Sequence, residues 1–173
     1  MRMQQTKKLI SIVVMSAIFA IAGVSSFAAE QTPAALPPAS IQYDLAFPGI
    51  LPDHPLFKFK VLRDKITAVF TKDPTQKIQF YLRQADKGIL ATAILLEKGN
   101  IPLANETALK AEHNMTMMVM YLPYASLRKN SELLEKIRTA SLKHQEVLGV
   151  LINRVAADQQ QTLKTVYEFS VRN

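Results

Sequence analysis

The sequence predicts an all-α protein: an up-and-down antiparallel bundle of four to five helices preceded by an extended proline-rich strip. Three observations favour this class. From about residue 55 onward, apolar residues recur at alternating steps of three and four, which is the period of a helix that buries one face. No segment alternates at period two, so no strand is expected. The turns between the apolar runs are short, which favours antiparallel neighbouring helices.

The N-terminus has the three zones of an export signal. Met1–Lys8 carries three basic residues and no acidic one, Leu9–Val24 is apolar or small throughout, and Ser26-Phe27-Ala28 offers a small-x-small cleavage site. We therefore expect cleavage after Ala28 and a secreted protein that works in the periplasm or at the cell surface. The alternative is that the segment is an uncleaved membrane anchor. The apolar run is shorter than the roughly 20 residues of a spanning helix, which favours cleavage, and no membrane span is expected after it.

Composition narrows the classes of function. The chain of 173 residues has a net charge of +7, and three of those charges leave with the signal. The remaining mild excess is too small and too scattered for nucleic acid, but it suits an anionic surface polymer or lipid headgroups. There is no cysteine, so disulfide and thiolate chemistry are excluded.

Residues 29–40 are predicted to be a flexible linker, rich in proline and alanine, and residues 41–173 a single helical-bundle domain. Ile41–His54 is proline-punctuated but also apolar, and we call it the strip. Its large side chains need burial, so we expect them to be inserted into the bundle. The alternative is that the strip is a partner surface, formed by Tyr43, Phe47, Ile50, Leu51 and Phe57.

The first two helices have defined starts. Asp53 and Pro55 are start signals for a helix that runs to about Phe70. Its apolar positions are Phe59, Leu62, Ile66, Val69 and Phe70. The second helix has an N-cap at Asp73, followed by proline and by glutamine three residues after the cap. It is predicted to reach Lys98, with Gly99 as its terminator. Its seam is Ile78, Leu82, Ala85, Ile89, Thr92 and Leu96.

The later helices follow the same logic. Pro102 opens the third helix and Pro123 ends it. Its seam is Ala104, Ala108, Ala111, Met115, Met118 and Leu122, and the small residues predict a close approach to a neighbouring helix. The fourth helix begins at Asn130 or Ser131. Its seam is Leu134, Ile137, Ser141, His144, Leu148, Leu151 and Val155. A last short helix, with a capping box at Asp158 and Gln161, carries Leu163, Val166, Tyr167 and Phe169.

Part of the chain resembles a known family. Tyr43-Asp44-Leu45, then Pro48 to Phe57, then Lys60 to Ile66 resemble the opening of the bacterial domain-of-unknown-function family 5667, with its export signal, its PGxLPDxPxYxxK strip and its helical region. The second-helix pattern of that family resembles Lys77 to Lys87, although Gly88 stands where an arginine often follows. The resemblance implies an exported helical protein with no assigned activity.

One helix carries a candidate metal site. Four methionines lie within the six positions 115–120, shortly after His113. His113, Met117 and Met120 share a helix face at steps of four and three. Thioether ligands select Cu(I), so these three residues are a candidate copper site. The alternative is core packing, in which methionine fills irregular gaps. His144 on the fourth seam is expected to be a buried, hydrogen-bonded histidine, with a ligand or pH-sensing role as the alternative.

No enzyme constellation occurs: there is no nucleophile elbow, no glycine-rich phosphate loop and no di-iron Glu-x-x-His spacing. The acids Asp86, Glu97, Glu106 and Glu112 are the only basis for a cell-wall hydrolase, and most suit a solvated face. We therefore expect a non-enzymatic binding or scaffolding module at the bacterial cell envelope, with an envelope protein or an anionic surface polymer as its partner. The alternatives are a metal- or small-ligand-binding bundle and, lastly, the hydrolase.

Overall fold

The computed structural model describes residues 41–125 and 130–172. Within them lie five α-helices and no strand, so the all-α prediction is confirmed. The helices are α1 (Phe57–Phe70), α2 (Pro74–Glu97), α3 (Ile101–Tyr121), α4 (Ser131–Ile152) and α5 (Gln161–Arg172). The predicted export signal and linker lie outside the described residues. No helix in the described ranges has the length and apolar character that crossing a membrane requires.

The centre of the bundle is the hairpin of α2 and α3. The predicted cap is present, because the Asp73 carboxylate accepts a hydrogen bond from the Gln76 N–H at 2.8 Å. At the other end of α2, Gly99 has a φ of +73°, and the N–H groups of Gly99 and Asn100 donate to the Leu96 and Leu95 carbonyls. This left-handed turn closes α2 and lets α3 begin at once, with Asn100 as its N-cap.

Small residues bring α2 and α3 into contact, as their seam predicts. Ala104, Ala108 and Ala111 are fully buried, and a Cβ built on Gly88 would lie 2.6 Å from the Cβ of Ala111. The two helices therefore touch at a point where only glycine fits against alanine. Two buried clusters extend from this contact. One adds α4 and α5 through residues such as Leu148 and Leu163.

The second cluster lies around Ile78, Leu82, Met115 and Met118, so the predicted seams of α2 and α3 are confirmed as core faces. The α4 seam needs a correction near its start. Leu133 is buried, whereas the predicted Leu134 is 43% exposed, because the two adjacent leucines point to different sides of the helix. Farther along α4, His144, Leu148 and Leu151 are buried as predicted.

The prediction for the start of α1 is wrong in its details. The helix begins at Phe57, and its N-cap residue Leu56 makes no side-chain cap. Asp53 instead forms a salt bridge with Lys98 at 2.9 Å, since the chain is still crossing the end of α2 at this position. Asp158, likewise predicted to cap α5, lies in a one-turn 3-10 helix, Ala157–Gln159.

Candidate functional site

The strip is fastened to the bundle by a buried cluster of three polar side chains. The Tyr43 hydroxyl donates to Asp86 Oδ2 at 2.8 Å, and His144 Nε2 lies 2.8 Å from Asp86 Oδ1. Asp86 is 4% exposed and His144 is fully buried. One carboxylate on α2 therefore joins the strip to α4. The expected buried, hydrogen-bonded state of His144 agrees with this geometry, and Asp86 is its partner.

The chemistry of this cluster favours holding over catalysis. Burial, together with the hydrogen bond to Asp86, raises the pKa of the Tyr43 phenol well above its usual range, so the phenol stays protonated and remains a donor. His144 Nδ1 is buried and has no hydrogen-bond partner among the described residues. Neither Asp86 nor His144 lines any of the three cavities outlined in the described ranges.

Other contacts fix the two ends of the strip. The Ile41 N–H donates to Glu146 Oε2 at 3.3 Å, and the buried Lys143 ammonium lies 3.4 Å from the Ile41 carbonyl. Lys60 of α1 donates to the carbonyls of Pro48 at 2.8 Å and Ile50 at 3.2 Å. These bonds use the backbone of the strip, so α1 is held to the strip and the strip to α4.

The apolar face predicted for α1 points away from the bundle. No residue of α1 is buried, and five large apolar side chains are 50–76% exposed. They form what we call the outer surface of α1: Phe59, Leu62, Ile66, Val69 and Phe70. The inner side of the helix carries a smaller apolar set, Phe57, Val61 and Ala68, and these residues line a cavity against α2 and α3.

The outer surface continues onto the strip. Phe47, Ile50, Leu56 and Phe59 line one shallow hollow, and Phe47 is 71% exposed. The expectation that the strip inserts its large side chains is therefore wrong for Phe47 and Ile50. It is correct for Tyr43 and Leu45, which pack against the core clusters, because their positions face α2 and α4.

The five residues predicted as a partner surface are divided by the fold. Tyr43 turns inward to Asp86, Phe47 and Ile50 face outward, and Leu51 and Phe57 are half-buried. The apolar pattern of α1 predicted the residues of the outer surface but not that they are exposed. The available signal was the second apolar set, Phe57, Val61 and Ala68, which marks an opposite side of the same helix.

Basic residues flank the outer surface. Helix α1 contains four basic residues and one acidic residue. At 3.6 residues per turn, Lys58 and Lys65 border the outer surface on one side and Arg63 on the other. The acidic residue, Asp64, is on the inner side, where it lines the cavity and pairs with Arg63 at 2.8 Å. The outer surface is thus apolar along its middle, with the two lysines on one edge and the paired Arg63 on the other.

The cavity between α1 and the hairpin of α2 and α3 is a crevice of about 380 Å³, and we call it the crevice. Its floor is formed by Gly88, Ala91 and Ala111, where the two bundle helices touch. Its walls include Phe57 and Phe80. At the edge of the crevice, the pKa of Lys60 is lowered, mainly by burial. Attraction to Asp64 raises this pKa, and repulsion from Lys87 and Arg63 lowers it further.

The candidate copper residues all lie on α3. His113 is exposed on the rim of the crevice, Met117 is half-buried and Met120 is 59% exposed, whereas Met115 and Met118 belong to the core. No three His, Asp or Glu side chains converge as a metal site within the described ranges. A site built from thioethers stays a prediction.

The acids considered for a hydrolase are engaged in separate places. Asp86 belongs to the buried cluster with Tyr43, Glu97 pairs with Arg154 at 3.6 Å, and Glu106 pairs with Lys110 along α3. Glu112 is buried in α3. The fold thus uses Asp86 to hold the strip and the two glutamates for surface ion pairs.

Comparison with known proteins gives one match. The family model for the Domain of unknown function (DUF5667) matches residues 49–166, which include α1 to α4 and half of α5. No curated protein matches the chain, and no solved structure does.

Proposed function

The chain belongs to the Domain of unknown function (DUF5667) family, and from its own surfaces we propose that it is a non-enzymatic binding module that docks on an anionic membrane surface outside the cytoplasm. The docking element is the outer surface of α1. The observation that carries the proposal is the exposure of five large apolar side chains on one face of this helix. Contiguous apolar patches of this kind mark interaction sites on soluble domains.

The charge pattern selects a lipid surface over an apolar protein groove. A helix that lies in the membrane interface has an apolar face with phenylalanine and leucine, bordered by lysine and arginine that meet anionic headgroups. The outer surface has this arrangement, with Lys58 and Lys65 on one edge and no acid on the apolar face itself. Arg63, on the other edge, pairs with Asp64 of the inner side. Phe47, Ile50 and Leu56 extend the apolar area at the N-terminal end of the helix.

The anchoring of α1 also supports docking. Lys60 holds the helix to the strip through two carbonyls, and Tyr43 holds the strip to Asp86 and His144. The buried polar cluster of Tyr43, Asp86 and His144 therefore helps to hold α1, which carries the docking surface, in position. Export, predicted from the first 28 residues, places such a surface where it meets the outer leaflet of a membrane.

Vesicle co-sedimentation tests the proposal. A chain that begins at Ala29 retains every described residue, and we expect it to sediment with phosphatidylglycerol vesicles and much less with phosphatidylcholine vesicles. The double variant Phe59→Ser, Val69→Ser should bind at least about tenfold more weakly, since it removes two apolar groups from the interface. The matched control is Leu142→Ser, Val171→Ser, at exposed positions of α4 and α5.

Three results would overturn the proposal. The first is equal binding to neutral and anionic vesicles, and the second is no difference between the two double variants. The third is concentration-dependent self-association that Phe59→Ser, Val69→Ser abolishes, in the absence of vesicle binding. In that case the outer surface is an interface between copies of this chain.

A further inference from the structure

The crevice is a second site, on the opposite side of α1 from the outer surface. It exists because α1 does not pack closely on the hairpin: its inner residues Phe57, Val61 and Ala68 are only half-buried. The volume of about 380 Å³ lies within the range of small-molecule pockets. Because the crevice uses the inner residues of α1, it does not depend on the proposed function.

The residues that line the crevice indicate that the body of its ligand is apolar. The floor is made of small groups at Gly88, Ala91 and Ala111, and the walls are the aromatic rings of Phe57 and Phe80. The polar side chains nearby are partly occupied. Thr107 donates to the Leu103 carbonyl and Asn114 to the Lys110 carbonyl, and Gln84 and His113 also line the crevice. A flexible apolar chain fits a narrow, smooth floor of this kind, because it fills it without leaving buried polar groups unpaired.

The charged residues at the rim of the crevice indicate that the head of its ligand is anionic. Lys60, Lys65, Lys87 and Lys110 line it, against the single acid Asp64. The Lys60 ammonium donates to carbonyls of the strip. Lys110 forms an ion pair with Glu106, and Asp64 forms one with Arg63. Lys65 and Lys87 make no hydrogen bond or ion pair in the ranges that the structure describes. Lys65 also borders the outer surface, so Lys87 of α2 is the cation that the crevice supplies for an anion.

We propose that the crevice binds one anionic amphiphile, an alkyl chain with a carboxylate or phosphate head, with the chain on the Gly88–Ala91–Ala111 floor and the head on Lys87. A carboxylate or a phosphate at the rim gains charge-assisted hydrogen bonds from the Lys87 ammonium group. A fatty acid and a phosphorylated lipid share this chemistry, and the test includes a probe for each head.

Calorimetric titration of the chain beginning at Ala29 tests the site, with dodecanoate, dodecyl phosphate and dodecyltrimethylammonium, each below its micelle concentration. We expect the two anions to bind with a negative heat-capacity change, which marks apolar burial. The cation should bind at least about tenfold more weakly. Preference for one anion over the other identifies which head the rim suits.

Two variants examine the two halves of the site. Ala68→Trp fills the crevice from α1 and should abolish binding, whereas Ala157→Trp, at an exposed position, should not. Lys87→Glu should weaken binding of the anions by at least about tenfold, whereas Lys164→Glu on α5 should leave it unchanged. Circular dichroism confirms that each variant retains its helices.

Three results would overturn the inference: no binding of either anion, equal binding of the cation, or wild-type binding by Ala68→Trp. The outer-surface variant Phe59→Ser, Val69→Ser separates this site from the proposed function. It should bind dodecanoate like the wild-type chain even where it fails to bind vesicles, so either proposal can fail without the other.

Discussion

Gly88 gives a direct test of how closely α2 and α3 approach. In Gly88→Ala, the added Cβ would lie 2.6 Å from the Ala111 Cβ and 3.1 Å from its Cα. Carbon atoms in contact prefer about 3.5–4.0 Å, so the helices must separate by roughly 1 Å at this point. Neither atom of Ala111 can rotate away, and Ala108 beside it is fully buried.

Two opposing free-energy terms determine how much Gly88→Ala changes the stability of the protein. Alanine is favoured over glycine in a helix interior by about 1 kcal/mol. Overpacking of a well-packed contact costs about 1–3 kcal/mol, and here the atoms that collide include backbone. We therefore expect the upper part of that range, about 2–3 kcal/mol, and after the alanine term a net loss in the free energy of unfolding of about 1–2 kcal/mol.

Gly149 supplies a matched control for the same substitution. It lies inside α4, and a Cβ at this position meets nothing within 4 Å. Gly149→Ala should therefore show only the helix-propensity term and stabilise the protein by about 0.5–1 kcal/mol. Urea unfolding followed by circular dichroism measures both values, with an unchanged m-value as the check that the unfolding transition is comparable. A Gly88→Ala protein at least as stable as Gly149→Ala would refute the close approach.

Two further predictions concern the polar cluster and the metal hypothesis. Tyr43→Phe should lower the free energy of unfolding by about 1–2 kcal/mol, since it leaves the buried Asp86 with one donor fewer. The raised pKa of Tyr43 stabilises the folded state below the pKa of the unfolded phenol, near 10, and this contribution is lost as the pH rises above that value. The alkaline loss of stability should be shallower in Tyr43→Phe than in Tyr124→Phe, which changes an exposed phenol, and identical slopes would contradict this. The copper hypothesis predicts anaerobic Cu(I) binding tighter than micromolar that Met117→Leu weakens and Met118→Leu, in the core, does not; binding no tighter than micromolar would end it.

The features that the sequence predicted well are local ones. The Asp73 cap and the Gly99 turn each depend on a few consecutive residues, whose chemistry is sufficient to stop or start a helix. The alanine seam of α3 was predictable because small residues at helical spacing allow close approach whatever the neighbour is. The start of α4 was predicted at Asn130 or Ser131, as the structure has it. Its first core residue was not predicted, because Leu133 and Leu134 are adjacent and equally apolar, and only the packing selects Leu133.

The candidate site depends on contacts between distant residues. Tyr43 and His144 meet at Asp86 across 43 and 58 residues of sequence, a distance at which periodicity carries no information. The pattern in α1 shows the limit from another direction. It predicts that Phe59, Leu62 and Ile66 share a face, but not whether that face meets a core, and here it meets none in the described ranges.

The exposed face of α1 implies that binding and stability depend on different parts of the fold. No residue of α1 is buried, so its outer side chains contribute little to the free energy of unfolding, which the buried clusters of α2 to α5 supply. Burying them at a membrane would recover about 1.5–3 kcal/mol for each side chain fully removed from water. Substitutions on the outer surface should therefore change binding while leaving stability within about 0.5 kcal/mol. A large loss of stability in Phe59→Ser, Val69→Ser would show instead that the outer face is covered in the folded protein, and it would remove the basis for docking through α1.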